Sequence, residues 1–172
     1  MGAVEPATAL DGEVAADVVI VGGGYAGMWT AWLIREAEPD ARVVLLERDV
    51  CAHGPSGRNG GFANSMWFSL ASMRRRFGEV GALGVARAAQ AAVDEIGEWC
   101  SENGVDAWYR RGGYLQVSTA PAFDHVWDET VEACEQLGEP GAVQALRAEE
   151  IAARCASPVF RAGAFFPGSA TV

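Results

Sequence analysis

The sequence predicts an α/β protein that opens with a parallel β–α–β unit and continues into the first part of an α+β region. A β-branched apolar run at 16–21, ADVVIV, is typical of a strand buried on both faces. A second run with the same character, RVVLLE, follows at 42–47. Between them, residues 25–37 have the apolar spacing of a helix that ends before Pro39. A right-handed crossover through this helix makes the two strands parallel.

The rest of the chain predicts further helices and strands. Residues 107–111 and 114–118, separated by two glycines, are expected to form paired strands, and 159–166 is expected to include another strand. The predicted helices span 80–100, 128–137 and 148–155.

Composition excludes several classes of function. The 172 residues suit one compact domain or two small ones. The net charge of −10 disfavours nucleic acid as a partner, and the absence of lysine excludes a Schiff base within this chain. No apolar run reaches the ~20 residues of a membrane-spanning helix. The acidic segment 1–15 lacks the basic start of a secretory signal, and four scattered cysteines indicate reduced thiols and a cytoplasmic location.

The glycine-rich turn after the first strand predicts a dinucleotide site. Residues 22–27, GGGYAG, match the pattern GxGxxG at a strand-to-helix junction, and Glu47 follows at the end of the next strand. Gly22 permits a tight turn, Gly24 lets a pyrophosphate approach the backbone, and Gly27 allows close packing of helix and strand. Glu47 can accept hydrogen bonds from both ribose hydroxyls, and its charge disfavours a 2′-phosphate. A ligand-free glycine turn is the alternative.

A second glycine-rich segment, GPSGRNGGF at 54–62, lies just past the second strand. Four glycines and two small polar residues in nine positions do not form a core. Ser56 and Asn59 can donate and accept hydrogen bonds, and Arg58 can offset the negative charge of a pyrophosphate or a reduced flavin. An ordinary surface loop is the alternative when this segment is considered alone.

Together these motifs resemble the FAD-dependent D-amino-acid-oxidase-like superfamily, in its branch of glycine, sarcosine and γ-glutamylputrescine oxidases. The resemblance covers residues 16–172. The segments that carry it are ADVVIVGGGYAGMWTAWLI (16–34), VVLLERD (43–49), SGRNGGF (56–62), RRGGYLQVS (110–118) and PGSATV (167–172).

The resemblance implies that FAD is the cofactor. It places the pyrophosphate on the first glycine-rich turn, the adenosine ribose on Glu47, the adenine beside Arg48, and the second loop along the pyrophosphate and the flavin ring. Some relatives attach FAD through a histidine in this loop, but His53 lies upstream of that position. The resemblance identifies no catalytic residue and no metal ligand. The implied cofactor-binding residues are Gly22, Gly24, Tyr25, Ala26, Gly27, Glu47, Arg48, Ser56, Gly57, Arg58, Asn59, Gly60, Gly61 and Phe62.

The resemblance also implies a reaction and an organisation. We expect an N-terminal arm (1–15), a Rossmann-like FAD-binding segment (16–79), and a helical segment with a partial substrate domain (80–172). The expected reaction oxidises the C–N bond of a small amine or amino acid to an imine by hydride transfer to the flavin. An FAD-dependent dehydrogenase or hydroxylase acting on another substrate and a non-catalytic nucleotide-binding subunit remain alternatives.

Chains of this superfamily are much longer than this sequence. We therefore expect either a second polypeptide that completes the fold or a sequence that is part of a longer chain, with the second polypeptide favoured. Neither a membrane nor nucleic acid is expected as a partner.

Overall fold

The computed structural model describes residues 6–172 and divides the chain into two compact units. The first unit ends at Gly60, and the second runs from Gly61 to Val172. The boundary expected after residue 79, between the FAD-binding segment and the substrate domain, stays a prediction.

The first unit is a parallel β–α–β arrangement, as the sequence predicts. Strand β1 (Val18–Val21) pairs in parallel with β2 (Val43–Leu46), and helix α1 (Tyr25–Ala37) connects them. The predicted bounds of the helix are confirmed, whereas both strands are shorter than the apolar runs that predicted them. Asp17 and Arg42 flank the strand starts and form an ion pair at 2.9 Å. This pair and the Arg42 backbone amide hold the pKa of Asp17 well below its usual range.

The apolar faces of the first unit are largely exposed. Val19 and Val21 are 56% and 84% exposed, and helix α1 contains no buried residue. The expectation that both strands are buried on two faces is therefore wrong for this chain by itself. The physical reason is that within the unit a single helix packs beside two strands, whereas a parallel sheet needs cover on both faces.

The second unit is built around a three-stranded antiparallel sheet. Its central strand pairs on one side with β4 and on the other with β5, which gives the order β4-β6-β5. A separate antiparallel pair joins β3 to β7. The elements, in chain order, are β3 (Phe62–Ala63), α2 (Leu70–Glu102), β4 (Tyr114–Ser118), α3 (Asp128–Gln136), β5 (Gln144–Arg147), α4 (Ala148–Ala152), β6 (Ala162–Phe166) and β7 (Ala170–Thr171).

The predicted pairing of 107–111 with 114–118 is wrong. Strand β4 pairs with β6, and Arg110 instead makes an isolated bridge to Thr171. Gly163 allows β6 and β4 to lie close together, because a Cβ at this position would lie 2.6 Å from the carbonyl oxygen of Gln116. Strand β5 has no counterpart in the sequence-based prediction, since its four residues lack an extended apolar run.

The helices of the second unit differ from prediction mainly in their ends. Helix α2 begins ten residues before the predicted start at 80, and it breaks at Gly78, whose φ of +71° is left-handed. Helix α3 ends one residue earlier than predicted, and α4 ends at Ala152 instead of 155. Across residues 6–172, no helix combines the length and the apolar character needed to cross a membrane.

The core of the second unit lies between α2, α3 and the antiparallel sheet. Phe166 of β6 and Leu70 of α2 are fully buried. The Tyr114 ring stacks on Phe166 with centroids 5.9 Å apart, and Phe68 meets both rings edge-on. These aromatic contacts fix the sheet against the start of α2.

Candidate functional site

The glycine-rich turn between β1 and α1 has the geometry that its sequence predicts. Gly22 has φ of +105°, a conformation that residues with a side chain rarely adopt. Its amide donates to the carbonyl oxygen of Leu46 at 2.8 Å, which keeps the turn at the ends of both strands. A Cβ on Gly27 would overlap the carbonyl oxygen of Gly22, so helix α1 approaches the turn more closely than a larger residue allows. The tight turn and the close packing are therefore both present.

Gly24 serves a different purpose, because its φ of −81° is open to any residue. A Cβ at this position would lie 3.0 Å from the Ser56 hydroxyl oxygen, in the space beside the start of helix α1. The Tyr25 amide donates to that same hydroxyl at 3.0 Å. The amides of Ala26 and Gly27 follow in the first helical turn, where no carbonyl four residues earlier accepts them within a helix. The turn thus presents amides, and the positive end of the helix dipole, to a space that glycine leaves open.

Glu47 binds the glycine-rich turn directly. One carboxylate oxygen accepts from the Gly23 amide at 2.8 Å, and the other accepts from the Asp49 amide at 3.2 Å. These backbone amides, with Gly23 contributing most, lower the pKa of Glu47. An ionised carboxylate has about four lone-pair positions, so Glu47 retains the capacity to accept from ribose hydroxyls. The sequence predicted only that Glu47 binds the ribose. Its bond to the Gly23 amide was missed, although an acid at the end of a strand beside a glycine-rich turn is a signal for such a bond.

The second glycine-rich loop packs against the first. The Ala52 amide donates to the Gly23 carbonyl oxygen at 2.7 Å, and a Cβ on Gly23 would lie 2.5 Å from the Cys51 sulfur. A Cβ on Gly57 would overlap the carbonyl oxygen of Ala52. Gly23 and Gly57 therefore allow two backbone segments to approach closely. The parts played by Cys51 and Ala52 were missed, because neither residue type carries a signal for such a contact.

Polar side chains of the second loop reach back to helix α1. The Asn59 amide nitrogen donates to the carbonyl oxygen of Ser56 at 2.6 Å and to the Tyr25 hydroxyl at 3.2 Å. The Arg58 guanidinium makes a long hydrogen bond of 3.4 Å to the carbonyl oxygen of Gly54, and its charge stays exposed. The loop is thus tied to the first turn of α1 by side chains and backbone together.

Twelve of the sequence-predicted site residues, from Gly22 to Gly60, lie in the first unit. Within it, Arg48 is exposed and no hydrogen bond of its side chain contributes to the site described above. Gly61 and Phe62 belong to the second unit, where the Gly61 carbonyl oxygen accepts from the Val172 amide at 2.9 Å. Phe62 is 71% exposed and lies opposite Thr171 in the β3–β7 pair.

His53 is held by a neighbouring carboxylate. Its Nδ1 lies 2.9 Å from an oxygen of Asp49, and both side chains are exposed. This contact orients the ring on the outside of the loop.

The residues of the first unit fit a dinucleotide. Amides at a helix N-terminus bind phosphate oxygens, the missing side chain of Gly24 leaves room for them, and Glu47 offers an anionic acceptor at the end of the neighbouring strand. The arrangement can bind and orient such a group.

We expect Glu47→Gln to lower the free energy of unfolding near neutral pH, because a carboxamide replaces an acceptor of two amides by one acceptor and one donor. The pKa of Glu47 is lowered on folding from an ordinary value of 4.5, so its contribution is fully present above that pH. The contribution is lost as the pH falls through the lower folded-state pKa. The stability difference from the unmodified chain should therefore shrink below pH 4.5, as measured by urea unfolding across pH.

The matched control is Glu36→Gln on the exposed side of α1, which should change stability little at any pH. A Glu47→Gln difference that stays constant from neutral pH to strongly acidic pH would show that the amides do not hold this carboxylate in its charged form.

The chain is similar to known proteins over nearly all of its length. Residues 17–172 match the DAO family, described as FAD dependent oxidoreductase. The chain is 34% identical over 113 residues to gamma-glutamylputrescine oxidoreductase of Escherichia coli K12, covering 63% of this chain and 25% of that protein. It is 29% identical over 163 residues to L-2-hydroxyglutarate dehydrogenase of the same organism, covering 91% and 34%.

The fold is similar to that of a solved relative. Glycine oxidase from Geobacillus kaustophilus superposes with a TM-score of 0.69 at 22% identity, covering 91% of this chain and 40% of that one. The chain thus spans between 25% and 40% of the length of these three proteins. Since the family match extends over nearly all of the sequence, from Asp17 to Val172, this chain belongs to the DAO family of FAD-dependent oxidoreductases.

Proposed function

We propose that this chain supplies the FAD-binding part of an oxidoreductase that oxidises the C–N bond of an amine or amino acid to an imine. The observation that carries the proposal is the pair of glycine-rich loops, hydrogen-bonded to each other at the start of helix α1. A nicotinamide-dependent dehydrogenase would account for the first loop and leave the second unexplained. When bound, FAD supplies the group that accepts a hydride from the carbon bearing the amine.

In this proposal the protein binds and orients the cofactor. The amides of Ala26 and Gly27 bind the diphosphate, in the space that Gly24 leaves open beside Tyr25, whose own amide donates to the Ser56 hydroxyl. Glu47 accepts hydrogen bonds from the ribose while holding the Gly23 amide. The second loop extends the contact towards the flavin through Ser56 and Asn59. Arg48 lies beside the adenine. The other proposed cofactor-binding residues are Gly57, Arg58, Gly60, Gly61 and Phe62.

The substrate class is proposed from the relatives. Gamma-glutamylputrescine oxidoreductase and glycine oxidase are named for amine substrates, which supports oxidation of a C–N bond. L-2-hydroxyglutarate dehydrogenase is named for a hydroxy acid and aligns with 91% of this chain, which supports dehydrogenation of a 2-hydroxy acid as the second candidate. A non-catalytic nucleotide-binding subunit is the third.

We further propose that another polypeptide covers the apolar faces of the first unit. Val21 is 84% exposed and Leu33 is 60% exposed, on β1 and α1 respectively. In a parallel sheet such residues are normally buried by helices on both faces. Burial against a second polypeptide would give a large, apolar, obligate interface. A cytoplasmic location rests on the free cysteines and stays a prediction.

Anaerobic addition of substrate classes to the FAD-loaded protein tests the reaction. We expect bleaching of the visible flavin absorbance with small amines or amino acids, because hydride transfer reduces the ring. Bleaching by 2-hydroxy acids alone would favour the second candidate. FAD binding without bleaching by either class would favour the non-catalytic subunit, and a colourless protein that binds NAD tightly would contradict the assignment.

Gly24→Val should abolish FAD binding, because the branched side chain occupies the space proposed for the diphosphate. The φ of −81° at this position accepts valine, so loss of binding would not stem from backbone strain. The measurement is FAD occupancy after gel filtration, with circular dichroism to confirm folding. Gly141→Val is the matched control, since a Cβ at Gly141 meets nothing within 4 Å and this residue lies outside both glycine-rich loops. Full occupancy in Gly24→Val would place the diphosphate elsewhere.

Size-exclusion chromatography with denaturing gel analysis tests the assembly. We expect the chain to migrate with a second polypeptide and with FAD, since burial of the exposed faces favours association. A monodisperse, folded, FAD-containing species of 18.1 kDa would contradict the proposal.

A further inference from the structure

One side-chain contact links the two glycine-rich loops across 34 positions of sequence. The Asn59 amide nitrogen donates to the Tyr25 hydroxyl at 3.2 Å. Tyr25 is the first residue of helix α1, and Asn59 lies near the end of the second loop. Both residues fall inside the two glycine-rich motifs.

The contact closes a ring of hydrogen bonds among three residues. The Tyr25 amide donates to the Ser56 hydroxyl at 3.0 Å, and the Asn59 amide nitrogen donates to the Ser56 carbonyl oxygen at 2.6 Å. The bond from Asn59 to the Tyr25 hydroxyl completes the ring. Tyr25 is therefore held by the second loop through both its backbone and its side chain.

We propose that Tyr25 and Asn59 form a clasp that positions the second loop over the first for FAD. The inference rests on the proposed function, because it assigns the two loops to one cofactor. The clasp acts on the cofactor through the loop and is a positioning device. Without the phenol oxygen, Asn59 keeps its bond to the Ser56 carbonyl oxygen but loses its bond to the Tyr25 side chain. The loop then gains freedom that FAD binding must remove.

A clasp of this kind affects FAD more than ADP. The ADP half is assigned to the first glycine-rich turn and Glu47, which make their own hydrogen bonds without the clasp. The second loop is assigned to the pyrophosphate and also to the flavin, which is the part of FAD that ADP lacks. A tyrosine and an asparagine that merely support the fold would instead change both affinities alike.

The experiment is a double-mutant cycle on the purified protein with any polypeptide that accompanies it. Dissociation constants for FAD and for ADP are measured with the unmodified protein, Tyr25→Phe, Asn59→Ala and the double variant. Each single variant should weaken FAD binding by about two- to tenfold, the range of one net hydrogen bond, and ADP binding by less than twofold. The double variant should bind FAD no more weakly than the weaker single variant, because both remove the same contact.

Tyr109→Phe is the matched control. It also removes a phenol, one that donates to the Val93 carbonyl oxygen at 2.9 Å, and lies in the second unit. This variant should show no coupling with Asn59→Ala in FAD affinity.

The other outcomes contradict the clasp, the proposed function or both. Additive effects of Tyr25→Phe and Asn59→Ala on FAD affinity overturn the clasp and leave the proposed function standing. Equal losses for FAD and ADP assign the contact to fold stability alone. If the unmodified protein binds neither ligand, the proposed function fails and the clasp fails with it.

Discussion

The hydrogen bond from the Gly23 amide to the Glu47 carboxylate is the interaction on which the candidate site depends. It joins the turn after β1 to the residue that follows β2, so both strand ends and the start of α1 keep fixed positions. Because the bond lowers the pKa of Glu47 below its ordinary value of 4.5, the carboxylate is ionised at neutral pH. A negative charge at this place favours a neutral ribose over a phosphorylated one, which agrees with FAD as the cofactor of the family.

The second glycine-rich loop is held against the first by close contact between their backbones. The Gly23 carbonyl oxygen accepts from the Ala52 amide, and Cys51 packs where a Cβ on Gly23 would lie. Any side chain at Gly23 would push the two loops apart. The amide and the carbonyl of one glycine therefore organise both motifs, one through Glu47 and the other through Ala52. The ring formed by Tyr25, Ser56 and Asn59 extends this connection to helix α1.

The type of sheet explains why apolar side chains are exposed in the first unit and buried in the second. A parallel pair buries its apolar side chains only when helices lie on both faces, and one helix packs beside β1 and β2 within the unit. The antiparallel sheet of the second unit closes its own core, with Phe166 stacked on Tyr114 and Leu70 fully buried. The family match covers both units, while this chain spans at most 40% of the compared proteins.

The sequence by itself determined the β–α–β unit and the family, because apolar runs, helical spacing and a glycine pattern are local properties of neighbouring residues. It predicted helix α1 to the residue and missed β5, whose four residues carry no distinctive pattern. The tertiary structure decided the pairing of β4 with β6, the break of α2 at Gly78 and the hydrogen bond from the Gly23 amide to Glu47. The strand pairing and the Glu47 bond depend on which distant backbone approaches closely enough to bond, and a one-dimensional pattern does not contain that distance.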